Sequence, residues 1–359
     1  VRMGWPKLEE LPFDPTKPVD AAAISQLKDY CKNDVLITAE LYKRMAGALK
    51  NRQCLSEKYG VDLLSATEPN IAETVITSEY EKQTGLNKYA LKKLAKKPVT
   101  VTLTCPEWFD SITHPALKRF VDKVKSVVVP VKDSGHADTS ELNAVIPIGD
   151  RSYKVGGGGI HSIDGTGCYR SNDKESIVEI DVTSYYPAII IQNNLWVNHT
   201  RPEIISEIYA GIVNARIAAK RAGDKLTADS YKIVINSYFG KHSNIYSALY
   251  DPAIGASVTV IGQIGLLWLI LNLEAAGYRI LSGNTDGIVV KIPTAERNKV
   301  EAIVSEWEQA TGFDMEYTDY SVYARKDVNN YISVTTDGTI KAKGTASKAV
   351  GYGIIRQHQ

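Results

Sequence analysis

Two carboxylates, 105 residues apart in the chain, have surroundings suited to catalysis. Asp181 ends the short apolar run Ile177 to Asp181, which reads as a buried strand. Asp286 sits in a turn between two apolar segments, Tyr278 to Leu281 and Ile288 to Ile292. Strand ends in one sheet can converge. Two converging carboxylates can hold a pair of magnesium ions roughly 3.5–4 Å apart, the arrangement that drives in-line phosphoryl displacement. Magnesium takes oxygen ligands and fills its remaining positions with water and phosphate oxygens, so two acids suffice when a triphosphate completes the shell. Taken singly, a turn aspartate has a plainer reading as a capping or turn residue.

Positive charge collects elsewhere. Between Ala215 and His242 there are six lysines or arginines against two aspartates. Arg216 and Lys220 are four apart and share a helix face, and Lys232 and Asn236 repeat that spacing further on. Such a face suits a triphosphate, whose charge must be neutralised as pyrophosphate leaves. The plainer reading is a solvated basic helix, which also fits Lys92, Lys93, Lys96 and Lys97. Gly156 to Gly159 allow positive φ and let another backbone come close, but fit neither GxGxxG nor a Walker A loop. A flexible turn explains them equally well.

The elements that must position these groups can be read from periodicity. Pro6, Pro12, Pro15 and Pro18 predict an extended lead-in. Apolar residues from Asp20 to about Lys58 recur at helical spacing and predict one long helix or two short ones ending at Gly60. Helix continues from Val61 to about Ala95, and strands follow at Val99 to Leu103 and Ser126 to Val131, before a surface loop from Asp133 to Ser140. After Pro187, helix signals run from Ile189 to Leu195. Further helices are predicted after Pro202, with a break at Gly223-Asp224, and after Ile254, closing at Gly277. Tyr278 to Leu281 reads as a strand, Ser282 to Gly287 as a tight turn and Ile288 to Ile292 as the return strand. Thr294 is placed to cap a helix that stops at Gly312, and Val322 to Lys343 reads as strands with a hairpin turn at Thr336-Asp337-Gly338.

At 359 residues the chain is long enough for two or three compact units. Its 44% hydrophobic and 23% charged residues exclude bulk disorder and a collagen-like chain. With 42 basic and 41 acidic residues the net charge is +1, which excludes a histone-like basic coat but leaves room for a local basic groove. Cys31, Cys54, Cys105 and Cys168 form no CxxC pair, and the six histidines have no metal-ligand spacing. There is no signal-peptide pattern. The most apolar run, Val258 to Leu273, contains Gly262, Gln263 and Asn272 and reads as a buried core helix rather than a membrane span. A cytoplasmic chain with no membrane partner is the resulting expectation.

The ordered set of motifs resembles family B DNA polymerases. Asp181-Val182-Thr183-Ser184-Tyr185-Tyr186-Pro187 is similar to their motif A, DxxSLYP. The run from Lys232 through Asn236-Ser237-Tyr238-Phe239-Gly240 is similar to motif B, KxxxNSxYG, and Ser282 to Gly287 to motif C, YGDTDS. Arg216 and Lys220 match the RxxxK of the preceding fingers helix, and Gly156 to Gly159 resemble the linker between exonuclease and polymerase regions. Lys341-Ala342-Lys343-Gly344, after Tyr331, resembles the start of the thumb. The resemblance covers about residues 153–345. Upstream, the segment from Tyr30 to Asp34 is similar to the third exonuclease motif, YxxxD, though an ordinary amphipathic helix explains it as well.

The resemblance implies an α+β fold, a right-hand polymerase with an antiparallel palm sheet, helical fingers and a truncated thumb. The implied divisions are 1–60, the end of an exonuclease-like domain; 61–152, a connecting region or N-terminal palm; 153–200, palm; 201–245, fingers; 246–325, palm; and 326–359, the start of the thumb. It implies template-directed DNA synthesis from a primer 3′-hydroxyl, with two Mg2+ ions, for which Mn2+ can substitute, held by Asp181, Asp286 and the Val182 carbonyl. Arg216, Lys220 and Lys232 would bind the triphosphate. Tyr186 would stack under the sugar and exclude a 2′-hydroxyl. Asn236 and Gly240 would line the nascent base pair, and Gly157, Gly158, Tyr331, Lys341 and Lys343 would contact DNA. Partners would be primer–template DNA, deoxynucleoside triphosphates, and an exonuclease or thumb segment or replication accessory proteins. The location would be a bacterial host's cytoplasm if the chain is phage-encoded. One exonuclease acid cannot build a two-metal site, so proofreading by this chain alone is not expected. A non-catalytic primer–template binding module is the alternative.

Five departures from the family pattern bear on this. Tyr185 stands where leucine is usual, Phe239 where tyrosine is usual, Asn284 for the first aspartate of motif C and Gly287 for its serine. Asn329 and Asn330 replace the lysine pair before Tyr331. Asn284 removes a negative charge while still offering a neutral oxygen. The short gaps from Gly159 to Asp181 and from Lys220 to Lys232 leave no room for the inserts of protein-primed phage polymerases.

Overall fold

A computed structural model of the chain describes residues 10–163 and 165–347. Pro6, in the expected lead-in, and residues 348–359 of the expected thumb lie outside them. The residues group into two compact units, one formed by the chain up to Thr67 with Ala215–Lys232, the other by Glu68–Asn214 with the chain from Ile233 onward.

The first unit is helical. Of the two readings left open for this stretch, the structure has two helices, α1 (Ile24–Arg44) and α2 (Ala46–Tyr59), parted by a break at Met45, and Gly60 ends α2 at φ +70. That is the left-handed C-cap a glycine adopts without Cβ strain. No residue of α1 is buried, whereas Leu55 on α2 and Leu63 beyond it are. In this unit Lys58 Nζ lies 4.7 Å above the Tyr231 ring, and the Ser230 hydroxyl donates to the Asn51 carbonyl at 3.3 Å.

In the second unit helices α3 (Glu68–Thr84) and α4 (Lys88–Leu94) lead to strand β1 (Thr100–Thr102), helix α5 (Pro115–Ser126) and strand β2 (Val128–Pro130), which pairs with β1. Strands β3 (Ala144–Ile148), β4 (Arg151–Val155) and β5 (His161–Ser162) form a small antiparallel sheet. The main sheet has seven strands. It takes in β6 (Gly167–Arg170) and β7 (Glu175–Val182), followed in the chain by helices α6 (Tyr185–Gln192), α7 (Pro202–Arg221), α8 (Lys225–Tyr238) and α9 (Pro252–Ala275), of which the stretch Ala215–Lys232 of α7 and α8 belongs to the first unit. It continues through β8 (Arg279–Asn284), β9 (Gly287–Pro293), helix α10 (Arg297–Thr311), β10 (Met315–Asp327), β11 (Asn330–Thr335) and β12 (Ile340–Lys343). The strand order is β12-β11-β10-β7-β9-β8, antiparallel throughout, with β6 also pairing β10. The protein is thus a mixed α and antiparallel β structure, with β7 near the middle of its sheet.

Helix α9 packs against α6, α10 and β8 and is almost wholly buried. It is long and apolar enough to cross a membrane, but 89% of that window lies inside the fold, as expected of a core helix.

Several boundaries differ from expectation. Helix α6 starts at Tyr185, ahead of Pro187, and stops at Gln192. Pro187 is tolerated because a helix's first turn has no intrahelical partners for its N–H groups. Strand β8 runs through Asn284, so the expected tight turn shrinks to two residues, Thr285 and Asp286. Gly283 and Asn284 are turn formers by type, yet their backbones pair with Ile288 and Gly287. Thr294 caps no helix; its hydroxyl pairs with that of Ser176 at 2.9 Å, while Glu296 stands at the start of α10. Strand β10 begins at Met315, seven residues before the expected Val322, as β7 offers it a partner.

Candidate active site

Asp181 and Asp286 meet. Asp181 lies at the C-terminal end of β7, opposite Gly287 on one side and Glu316 on the other. Asp286 is the second residue of the β8–β9 turn. The Val182 N–H donates to the Asp286 carbonyl at 2.8 Å, which ties the strand end to the turn. Both acids line a cavity of about 310 Å³ with Glu179, Asn284, Tyr331, Lys341 and Lys343. Gly287 is required there by space. A Cβ at that position would lie 1.7 Å from Asp181 Oδ1.

The electrostatics follow from this crowding. Burial pushes the Asp181 carboxyl up to about 7, and the charges of Glu179, Asp286 and Glu316 add to the effect. Lys341 acts in the opposite direction. Buried, mutually repelling carboxylates invite a counter-cation. The donors are all oxygen and negatively charged, so they fit magnesium or manganese. Among the described residues no group of three or more His, Cys, Asp or Glu is arranged to hold a metal ion, so the fit rests on two acids with substrate oxygens. Glu179 was not singled out from sequence, although it lies two residues before Asp181 and so on the same strand face. It accepts from the Tyr320 hydroxyl and lies 3.4 Å from Lys341 Nζ, and Lys341 also sits over the Tyr320 ring.

Motif A turns from strand into helix through Ser184, a non-glycine residue at φ +51. Tyr185 is buried and its hydroxyl donates to the Gly262 carbonyl at 2.6 Å. Its bulk, in place of the expected leucine, is accommodated by α9. A Cβ at Gly265 would be 2.9 Å from the Tyr185 hydroxyl. Tyr186 is half-buried, its ring 4.6 Å from that of Phe239. Burial and the Asp286 charge hold its hydroxyl above the ordinary tyrosine range. Asn236 and Gly240 are exposed, and a Cβ at Gly240 would meet nothing within 4 Å.

Asn284 does something the sequence did not suggest. Its side-chain oxygen accepts from Thr285 N–H at 2.9 Å and from Thr285 Oγ1 at 3.3 Å. The oxygen expected for the cavity is committed to the turn.

In the first unit, Arg216 and Lys220 of α7 line one cavity of about 320 Å³ with Lys232 of α8, and Lys225 and Asp229 join them. Lys225 follows the Gly223 turn, at φ +71, and shares a face of α8 with Asp229 and Lys232, four and seven residues on. Of the glycine run, none of the four has positive φ. Gly157 and Gly158 are exposed; close approach instead constrains Gly156, against Asn143, and Gly159, against Thr285.

No family model matches the chain. Among curated proteins it is 30% identical over 104 residues to DNA polymerase II of Escherichia coli, covering 29% of this chain and 13% of that protein. It is 30% identical over 119 residues to DNA polymerase 1 of Sulfurisphaera ohwakuensis, covering 33% and 13%. Among solved structures, the family B DNA polymerase of Pyrobaculum calidifontis matches 90% of this chain and 39% of its own, with TM-score 0.45 and 16% identity. The matched stretches thus span a small part of the curated relatives. Over about a third of its length the chain resembles family B DNA polymerases.

Proposed function

We propose that the chain catalyses template-directed DNA synthesis, adding deoxynucleotides to a primer 3′-hydroxyl. The observation that carries this reading is the meeting of Asp181 and Asp286, joined by the Val182–Asp286 hydrogen bond, in the lining of one cavity. Asp181, Asp286 and the Val182 carbonyl would hold two magnesium ions, or manganese in their place. When bound, the ions lower the pKa of the attacking hydroxyl and neutralise charge developing on the α-phosphate.

The chain's own residues do the rest. Arg216, Lys220 and Lys232 bind the triphosphate, joined by Lys225 from the same cavity. Tyr186, steadied by Phe239, stacks under the sugar and rejects a 2′-hydroxyl. Asn236 and Gly240 flank the nascent pair, Gly240 by leaving space. Gly157, Gly158, Tyr331, Lys341 and Lys343 follow the DNA backbone, so binding weakens as salt rises. In this reading the main sheet is a palm, α7 and α8 belong to fingers, and residues from 326 onward open a thumb. Primer–template DNA and deoxynucleoside triphosphates are the partners, with accessory replication proteins or further polymerase segments.

Primer extension with magnesium and all four deoxynucleotides tests the reading. Wild-type extension should vanish in Asp286→Ala while primer–template binding, measured by fluorescence anisotropy, persists. Extension by Asp286→Ala at the wild-type rate would refute it. DNA binding without extension, with either metal, would favour a non-catalytic primer–template module.

A further inference from the structure

Gln263 lies on α9, only 2% exposed, and its side-chain amide spans the glycine run. Its Nε2 donates to the Gly156 carbonyl at 2.6 Å and also to the Gly158 carbonyl. Its Oε1 accepts from Gly156 N–H at 3.3 Å. At the other end of the run Gly159 abuts the acidic turn, where an added Cβ would lie 2.6 Å from Thr285 Cα. That neighbour is backbone and cannot swing aside. Just beyond, Ser162 Oγ accepts from Gly283 N–H at 3.0 Å, so the following strand is also tied to β8.

Four consecutive glycines have more conformational freedom to lose than any other tetrapeptide, and left alone they would hold nothing in place. Here a buried amide fastens them, and their end rests on the residue next to Asp286. The turn needs such support. It is the two-residue tip of the β8–β9 hairpin, and its Asp286 carbonyl is the group that Val182 N–H bonds at the end of β7. We infer that Gln263 is a positioning residue: it presses the glycine run onto Thr285 and so fixes the main chain of Asp286 against Asp181. The inference rests on the reading of these two acids as a metal-binding pair. Gln263→Glu keeps the shape but removes both donors and sets a carboxylate against two carbonyls. Gly159→Ala acts at the other end, driving Thr285 away by about 0.8 Å to reach ordinary contact at 3.4 Å.

The test is Mn2+ binding to the full chain, read by the loss of the free-ion electron paramagnetic resonance signal, with melting curves in parallel. Supporting groups behind metal ligands typically contribute 10–100-fold to affinity. Gln263→Glu and Gly159→Ala should each weaken Mn2+ binding about tenfold. Val300→Ala, in a fully buried position on α10, is the control for general loss of stability. It should lower the melting temperature comparably and leave Mn2+ affinity unchanged. Wild-type affinity in Gln263→Glu and Gly159→Ala, or an equal loss in Val300→Ala, would overturn the positioning role. Asp181→Ala and Asp286→Ala separate the premise from the inference. If neither changes Mn2+ binding, the metal-pair reading itself fails.

Discussion

Replacing Gly287 by serine sets geometry against resemblance. Serine is the residue usual at this place in the motif that Ser282 to Gly287 resemble, so similarity alone predicts that Gly287→Ser is harmless or beneficial. The structure predicts the reverse. A Cβ on residue 287 would lie 1.7 Å from Asp181 Oδ1 and 2.8 Å from its carboxyl carbon, where ordinary contact begins at 3.4 Å. The carboxylate oxygen must therefore retreat by about 1.7 Å. Backbone strain is not involved, because Gly287 is not among the positive-φ glycines and serine tolerates a strand. Misplacement of a reacting group by about 1 Å can slow a reaction roughly 100-fold, which corresponds to about 2.7 kcal/mol. Single-turnover addition of one deoxynucleotide should slow by about that factor in Gly287→Ser, with primer–template affinity within about twofold of wild type. An unchanged rate would show that Asp181 need not occupy its observed position.

The same crowding sets a pH-dependent stability. The Asp181 carboxyl is raised in the fold from 3.8 to about 7, so the native state binds its proton more tightly than the unfolded chain, and stability falls as pH climbs between those values. Asp181→Asn should therefore raise the melting temperature of the metal-free protein at pH 8, by up to about 4 kcal/mol of stability, and change little near pH 4; an equal shift at both pH values would contradict this. Glu73 has the opposite sign. Burial would raise its pKa, but Lys241 at 2.8 Å, the Ala248 N–H and Lys88 together hold it below 4.5. Its contribution is present above that value and is lost as pH falls through the lowered pKa. Glu73→Gln removes the charge that balances the buried Lys241, which keeps Asn70 at 2.6 Å, and should cost about 3 kcal/mol at pH 7, with the deficit narrowing in acid denaturation curves as pH falls through the lowered Glu73 pKa; a deficit that does not depend on pH would refute the ion-pair origin. Tyr186→Ala should raise ribonucleotide incorporation in primer extension, and unchanged sugar discrimination would remove Tyr186 from that role.

What the sequence revealed and what it concealed divide along physical lines. Asp181 was visible because a carboxylate ending an apolar run is a local anomaly, and α9 because eleven of the sixteen residues from Val258 to Leu273 are apolar and none is charged. Arg216 and Lys220 were visible as a pair because helical spacing is itself a statement about which faces coincide, whereas Lys232 lies on the next helix and joins them only in the fold. Ser282 to Asn284 were misread as a turn because residue type dominates short windows, whereas the β9 partner that makes them a strand is tertiary. Gln263 owes its place to packing rather than to any local pattern, whereas Glu179, two residues before Asp181, and Lys225, seven before Lys232 on α8, lie at spacings that share a face. Asn284 was read by its chemistry, as an oxygen for the cavity, but the turn's own N–H and hydroxyl lie nearer to it.

Whether Asp181 and Asp286 hold the same metal can be tested by cleavage of the chain itself. Fe2+ loaded in place of magnesium, with ascorbate and peroxide, generates hydroxyl radicals that cut the backbone nearest the ion. Mass spectrometry of the fragments should show cuts near both residue 181 and residue 286. Excess Mg2+ should suppress both cuts, and either Asp181→Ala or Asp286→Ala should abolish both together. Cleavage at one segment that survives removal of the other acid would contradict a shared metal site.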